Sequence, residues 1–178
     1  MISLRKLINE NSQNSLDQFV KGYISCALAT SDTSYTYNHG ERKKSWDPDY
    51  DEDAPSGEEE HEGEQMSKHY DADDIDPETL QEMIRDCKDF HNKYREFYDA
   101  AGWHDSLAGH DFWLTRNRHG SGFWDRTNLW STELYHSGGK EALDKVRTIL
   151  TDAAHSYGEY HLYLGDGPYD GYVCGSKG

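Results

Sequence analysis

The sequence predicts an α+β fold with two N-terminal helices, a β-hairpin, a third helix and a C-terminal strand, the strands forming a small antiparallel sheet. Apolar residues recur at helical spacing in three segments, and two aromatic-rich segments flank a turn-like sequence. A chain of 178 residues has the length of one domain, so we expect a single domain over residues 1–178. Because 13% of the residues are aromatic, the core is expected to be built around rings.

The two N-terminal helices have recognisable starts. Ser15 can serve as an N-cap, and residues 16–28 then place apolar side chains at the three-four spacing of a buried stripe. The second helix has the clearest start in the chain, with Asp76 at an N-cap position and Pro77 at the first helical position. Gly102 is expected to end this second helix.

The hairpin is predicted over residues 111–126. Residues 111–116 and 122–126 are rich in aromatic and other strand-forming side chains, and residues 117–121 are typical of a turn. The sequence therefore predicts two antiparallel strands whose alternate side chains share a face.

The C-terminal part of the chain predicts a helix followed by strands. A third helix is expected over residues 140–157, with Gly158 as its stop. Residues 160–164 alternate as a strand does, and residues 172–174 are expected to add a short edge.

The charge of the chain is concentrated in one segment. The net charge is -16, and residues 47–64 hold ten acidic side chains and no basic one. Such a segment buries too little apolar surface to offset the entropy of ordering it, so residues 31–75 are predicted to be a flexible acidic insertion. The negative charge argues against direct nucleic-acid binding and favours a partner protein with a basic surface.

Cysteine usage and hydropathy indicate the compartment. Cys26, Cys87 and Cys174 form no CxxC pair and no disulfide framework, which is typical of a reducing cytosol. No apolar run approaches the length of a membrane span, so no membrane association is predicted. The histidines have no metal-ligand spacing, and neither a metal nor a cofactor is expected.

Polar and aromatic side chains are densest in the predicted hairpin. The candidate ligand- or partner-binding residues are His110, Asp111, Trp113, Arg116, Arg118, His119, Trp124 and Arg126. Arginine and tryptophan planes can hold a planar or phosphorylated ligand, and a histidine beside an aspartate can act as a general base. The same residues also suit a purely structural role, with the rings in the core and the charges paired, and no catalytic residue is assigned.

Residues 109–126, GHDFWLTRNRHGSGFWDR, resemble the motif GHDFWLTRNGHGAGFWDR of a family of small uncharacterised proteins of tailed bacteriophages. The resemblance extends to residues 23–29, 70–86 and 153–165. The chain departs from the motif at Arg118 and Ser121, where glycine and alanine are usual. It also differs in its larger acidic segment. The resemblance implies a viral protein in the cytoplasm of an infected bacterium, but it brings no established activity.

Three functions follow as hypotheses. The leading one is a non-enzymatic phage accessory protein that binds and inhibits or redirects a host protein, with counter-defence or DNA mimicry as versions of that role. The first alternative is a protein that binds or sequesters a nucleotide-type small molecule through the arginine and tryptophan side chains of the hairpin. The second is a hydrolase or nuclease that uses His110, Asp111 and His119. The sequence predicts no oligomeric state.

Overall fold

The computed structural model of the chain describes residues 12–33, 64–126, 133–165 and 167–178. The helices are α1 (Ser12–Thr30), α2 (Pro77–Ala100), α3 (Asp105–Arg116) and α4 (Glu133–His155), and the strands are β1 (Tyr160–Leu164) and β2 (Val173–Lys177). Short 3-10 turns lie at Met66–Lys68 and Gly167–Tyr169. The predicted α+β class with a small antiparallel sheet is confirmed at this coarse level.

Both predicted N-terminal helices are present. The Asp76 side chain caps α2 by accepting hydrogen bonds from the backbone N–H of Glu78 at 3.1 Å and Thr79 at 3.0 Å, as its position before Pro77 predicts. Ser15 does not cap α1, which begins three residues earlier. Its hydroxyl instead lies 3.0 Å from Nε2 of His91 on α2.

Helices α1 and α3 cross in backbone contact at two glycines. A Cβ atom added to Gly109 would lie 1.9 Å from the carbonyl oxygen of Phe19, and one added to Gly22 would lie 1.9 Å from that of Ser106. No side chain fits between backbones this close, so both positions require glycine.

The predicted hairpin over residues 111–126 is wrong. Residues 111–116 belong to α3, and residues 117–126 form turns that fold back against it. The aromatic-rich segment resembles a strand because α3 is buried on most of its surface and lacks the alternation of polar and apolar faces that marks a surface helix. Thr115 stabilises these turns against α3, because its hydroxyl accepts a hydrogen bond from the backbone N–H of Phe123 at 3.0 Å.

Helix α4 and the sheet follow their predicted order with shifted bounds. Helix α4 has a non-helical residue at Gly139 (φ 63°), directly before the predicted start, and Gly158 adopts φ 74° just beyond its end. Strands β1 and β2 pair antiparallel along their whole length, from Tyr160 opposite Lys177 to Leu164 opposite Val173.

The core is built from rings, as the composition predicts. Phe90 stacks on Phe112 with ring centroids 4.2 Å apart, and Phe19 and Phe123 each lie within 6 Å of Phe90. These rings come from α1, α2, α3 and the turn after α3. The core therefore joins the first three helices to the predicted hairpin segment.

Within the predicted acidic insertion at 31–75, the chain just before residue 34 contacts the chain just after residue 63. Thr33 donates its N–H to the carbonyl of Glu64 at 2.9 Å, and Met66 donates to Ser31 at 2.9 Å. Met66 and Ile75, which follow in the same stretch, are buried in the core. Residues 34–63, and with them most of the acidic window at 47–64, lie outside the described residues.

Candidate functional site

The eight candidate residues differ in burial, and they do not share one face of the molecule. Asp111, Trp113 and Arg116 are buried in α3, and Trp113 donates its indole N–H to Thr30 at 2.7 Å. The partly buried members are His110, His119 and Arg126, and the exposed ones are Arg118 and Trp124.

Arg116 is a structural arginine at the centre of the fold. Its Nη1 donates to the Tyr23 hydroxyl at 2.7 Å and to Asp86 Oδ2 at 3.2 Å. Its Nε and Nη2 donate to the carbonyl oxygens of Gly158 at 2.9 Å and Tyr157 at 3.1 Å. The side chain therefore links α1, α2 and the chain between α4 and β1, and its Nε, Nη1 and Nη2 are all engaged in hydrogen bonds within the protein.

The surroundings of Arg116 fit this structural role. Its guanidinium lies over the rings of Phe112 and Tyr160, 5.6 Å and 5.3 Å from the centroids. Burial raises the pKa of Tyr23 well above its usual value, against the opposing charge of Arg116, so the phenol stays neutral.

Asp111 is the centre of a second cluster. Its buried carboxylate accepts hydrogen bonds from the indole N–H of Trp103 at 2.8 Å, from Arg126 Nε at 2.7 Å and from Arg126 Nη2. Burial opposes ionisation, but the hydrogen bonds from Arg126, His110 and Trp103 outweigh it and hold the pKa of Asp111 below its usual value. Burial, reinforced by the Asp111 charge, raises the pKa of the nearby Cys26 thiol to about 12, so this cysteine is unreactive.

His110 is the outer member of the Asp111 cluster. Its Nδ1 lies 3.1 Å from Asp111 Oδ1, and its side chain is 40% exposed. Arg126 Nη2, which can only donate, also lies 3.4 Å from this nitrogen. His119, the other predicted histidine, has no hydrogen bond or ion pair to His110 or Asp111 in the described part of the chain. The predicted catalytic set is thus not assembled as a unit.

Arg118 forms the turn that ends α3. It adopts φ 55°, its N–H donates to the Thr115 carbonyl at 3.1 Å, and the N–H of His119 donates to Leu114 at 3.0 Å. This is the hydrogen-bond pattern in which glycine is favoured at the left-handed position. The side chain is 65% exposed and lies 3.4 Å from Glu159.

Sequence reasoning missed a cleft of about 430 Å³ at the start of α2. Its charged lining residues are all acidic, and the lining comprises Asp76, Glu78, Thr79, Glu82, Tyr163, Gly165, Tyr169, Cys174 and Gly175. The carboxylates come from the first turns of α2, and the tyrosines come from β1 and the turn after it. The run of acidic residues at 71–82 was the available sequence signal, but it does not place the tyrosines beside them.

The carboxylates of this cleft differ in availability. Asp76 is engaged as the helix cap. Glu82 is engaged as well, because it accepts hydrogen bonds from the Tyr160 hydroxyl at 3.0 Å and from Arg85 at 2.9 Å. Glu78 is exposed one turn before Glu82 on the same helix, so the two project towards the same side. The cleft can attract a cationic group and pack it against an aromatic ring.

Other classes of site are not assembled in the described residues. Residues 12–33, 64–126, 133–165 and 167–178 contain no group of three histidine, cysteine or acidic side chains placed to hold a metal ion. Within the same ranges, no helix combines the length and apolar character that crossing a membrane requires.

No protein-family model, characterised protein or solved structure matches the chain. The resemblance of residues 109–126 to a phage family therefore stays a prediction.

Proposed function

We propose that this chain is a phage-encoded accessory protein, without enzymatic activity, that binds and inhibits or redirects a host protein in the cytoplasm of the infected bacterium. The observation that carries the proposal is the cleft at the start of α2, whose lining includes three carboxylates, Asp76, Glu78 and Glu82, and two tyrosines. This lining suits an arginine or lysine side chain on a basic partner surface.

The use of polar groups inside the fold supports binding over catalysis. The carboxylate of Asp111 and the guanidinium of Arg116 each have several hydrogen-bond partners within the protein. These are the groups that a hydrolase or an anion-binding site in this segment would use. Among the cleft carboxylates, Glu78 is exposed to solvent, whereas Asp76 and Glu82 are partly buried.

The placement of charge supports a partner with a basic groove. Glu78 and Glu82 are carried by a 24-residue helix, which fixes them relative to each other as phosphates are fixed along a nucleic acid strand. The net charge of -16 adds long-range attraction for a basic surface. A nucleic-acid-handling or defence factor of the host presents such a surface, so it is the target class we propose.

The decisive experiment compares two double variants with equal charge change. Tagged wild-type protein, Glu78→Gln/Glu82→Gln and the control Glu133→Gln/Glu141→Gln, altered on α4, are used to capture proteins from a lysate of a phage-permissive bacterium. The captured host protein is then purified, and its affinity for each version is measured by calorimetry at two salt concentrations.

We expect the cleft variant to bind at least tenfold more weakly and the α4 control to bind like the wild type. Tyr169→Ala is expected to weaken binding as well, because it removes a wall of the cleft without changing charge. Equal affinity for all four proteins, or capture of no host protein, would contradict the proposed function.

A further inference from the structure

Helix α4 carries buried polar atoms without a partner. Arg147 Nε, Arg147 Nη2 and Thr151 Oγ1 lack a hydrogen bond within the described structure and have almost no solvent contact. Burying such donors unpaired is costly, most of all on a charged group. Arg147 and Thr151 are four residues apart and therefore neighbours on one side of the helix.

The unpaired atoms of Arg147 form one edge of its guanidinium. Nη1 is engaged, because it donates to Asp144 Oδ1 at 3.2 Å. Nε–H and one N–H of Nη2 point along the opposite edge in parallel, which is the geometry that meets two oxygen atoms of a carboxylate or phosphate. Thr151, one turn further along the same side of α4, supplies another donor without a partner in the described structure.

The local charge also favours an anion. Asp144 is shared by two cations, since Lys140 Nζ lies 2.5 Å from its Oδ2 while Arg147 contacts its Oδ1. These three side chains together leave one positive charge uncompensated. The Arg147 side chain is 13% exposed and its partner Asp144 is 43% exposed, so the contact between them reaches solvent through Asp144.

We propose that the edge of α4 formed by Arg147 and Thr151 binds an oxyanion, the carboxylate or phosphate group of a small ligand. Binding requires the Arg147 side chain to turn outwards and lose its part-buried contact with Asp144. The bound oxyanion then accepts hydrogen bonds from the Arg147 fork, which is its Nε–H together with one N–H of Nη2, and from the hydroxyl of Thr151. This site uses none of the cleft residues, so the test of one proposal does not decide the other.

The test follows the side-chain Nε–H signal of Arg147 by NMR. Wild-type protein is titrated with sodium phosphate in one arm and sodium acetate in the other, with ionic strength held constant by sodium chloride. A saturable shift in either arm is the expected result, and the responding arm identifies the oxyanion. Unchanged signals in both arms would overturn the proposal.

Matched variants show whether the response belongs to the fork. A bound anion is expected to raise the melting temperature of the wild type. Arg147→Lys keeps the charge but removes the paired donors, so this rise is expected to vanish in the variant. Arg95→Lys, altered at an exposed arginine that contacts Asp99, is expected to respond like the wild type. An undiminished response in Arg147→Lys would overturn the proposal.

A second measurement asks whether Arg147 is unpaired in the absence of an anion. Arg147→Met retains most of the aliphatic stem and removes the buried donors. In buffer free of phosphate and carboxylate, its urea midpoint is expected to equal or exceed that of the wild type. A clearly lower midpoint would mean that a group of the protein already pairs the fork, and this would overturn the proposal.

Discussion

The crossing of α1 and α3 makes Gly109→Ala the sharpest test of the fold. Alanine in the middle of a helix is normally about 1 kcal/mol more favourable than glycine. At Gly109, however, the added Cβ would lie 1.9 Å from the carbonyl oxygen of Phe19. An ordinary close carbon–oxygen contact is about 3.3 Å, so the helices must separate by on the order of 1 Å.

The cost of that separation can be set against the gain in helix propensity. Overpacking a well-packed core typically costs about 1–3 kcal/mol, and the upper end applies because the obstacle is backbone rather than a flexible side chain. Subtracting the helix-propensity gain leaves a net destabilisation of about 2 kcal/mol. In a domain of this length, that lowers the melting temperature by about 4–8 °C.

The assay is urea unfolding followed by circular dichroism, with Gly120→Ala as the control. Gly120 is exposed and has no atom within 4 Å of the position of a new Cβ, so its replacement is expected to change stability by less than about 0.5 kcal/mol. Gly22→Ala is expected to behave like Gly109→Ala. A Gly109→Ala protein as stable as the control would refute the close crossing of the two helices.

Three further changes test the clusters around this crossing by urea unfolding. Arg118→Gly is expected to stabilise the protein by about 1 kcal/mol, because glycine adopts the left-handed backbone at no side-chain cost, whereas Arg118→Ala should be nearly neutral. Asp111→Asn is expected to cost about 3 kcal/mol at pH 7 by leaving Arg126 without its counter-ion. The pKa of Asp111 in the folded protein lies below its unfolded value of about 3.9. The difference in free energy of unfolding between the wild type and Asp111→Asn should therefore be complete above about pH 5 and shrink as the pH falls below about 4. Burial lowers the pKa of His91, so the contribution of its neutral form to stability is present above about pH 6.5 and is lost as the pH falls below that value. His91→Gln should therefore flatten the dependence of the free energy of unfolding on pH below about 6.5. An unchanged slope in this pH range would contradict the prediction.

The elements that sequence analysis predicted correctly are those with local chemical signals. Asp76 and Pro77 specify the start of α2 through a side-chain cap and a residue without an N–H. Residues 160–164 alternate between the core and the surface, and β1 occupies that range. These signals act within one or two turns of the chain, so they can be interpreted without knowledge of tertiary contacts.

The prediction failed at α3 because the decisive information there is tertiary. Residues 111–116 are all buried, so no polar face reveals the helical period. The stop signal is hidden as well, since Arg118 occupies the left-handed position where glycine would have indicated a helix end. Strand-forming aromatic side chains then dominated the local preference, although packing decides the outcome.

The candidate site was mispredicted for a related reason. A dense set of histidine, arginine, aspartate and tryptophan side chains suggests a ligand surface when it is placed on a hairpin. On α3 and the turns that follow it, the same residues differ in burial and form separate clusters. The cleft at α2 requires Tyr169 to approach Glu82 from a segment more than 80 residues away, and no local pattern predicts that contact.

The segment at 109–126 is best explained as a folding motif. Gly109 permits the helix crossing, Asp111 anchors Arg126 and Trp103, Thr115 holds the turn, and Arg116 ties the core together. Asn117 completes the set, because its side chain accepts the backbone N–H of Tyr160 at 2.6 Å and so fixes the start of β1. A segment whose side chains are used in this way stabilises the fold without identifying an activity. Among the described residues, the two binding sites that we propose, the acidic cleft of α2 and the Arg147 edge of α4, both lie outside this segment.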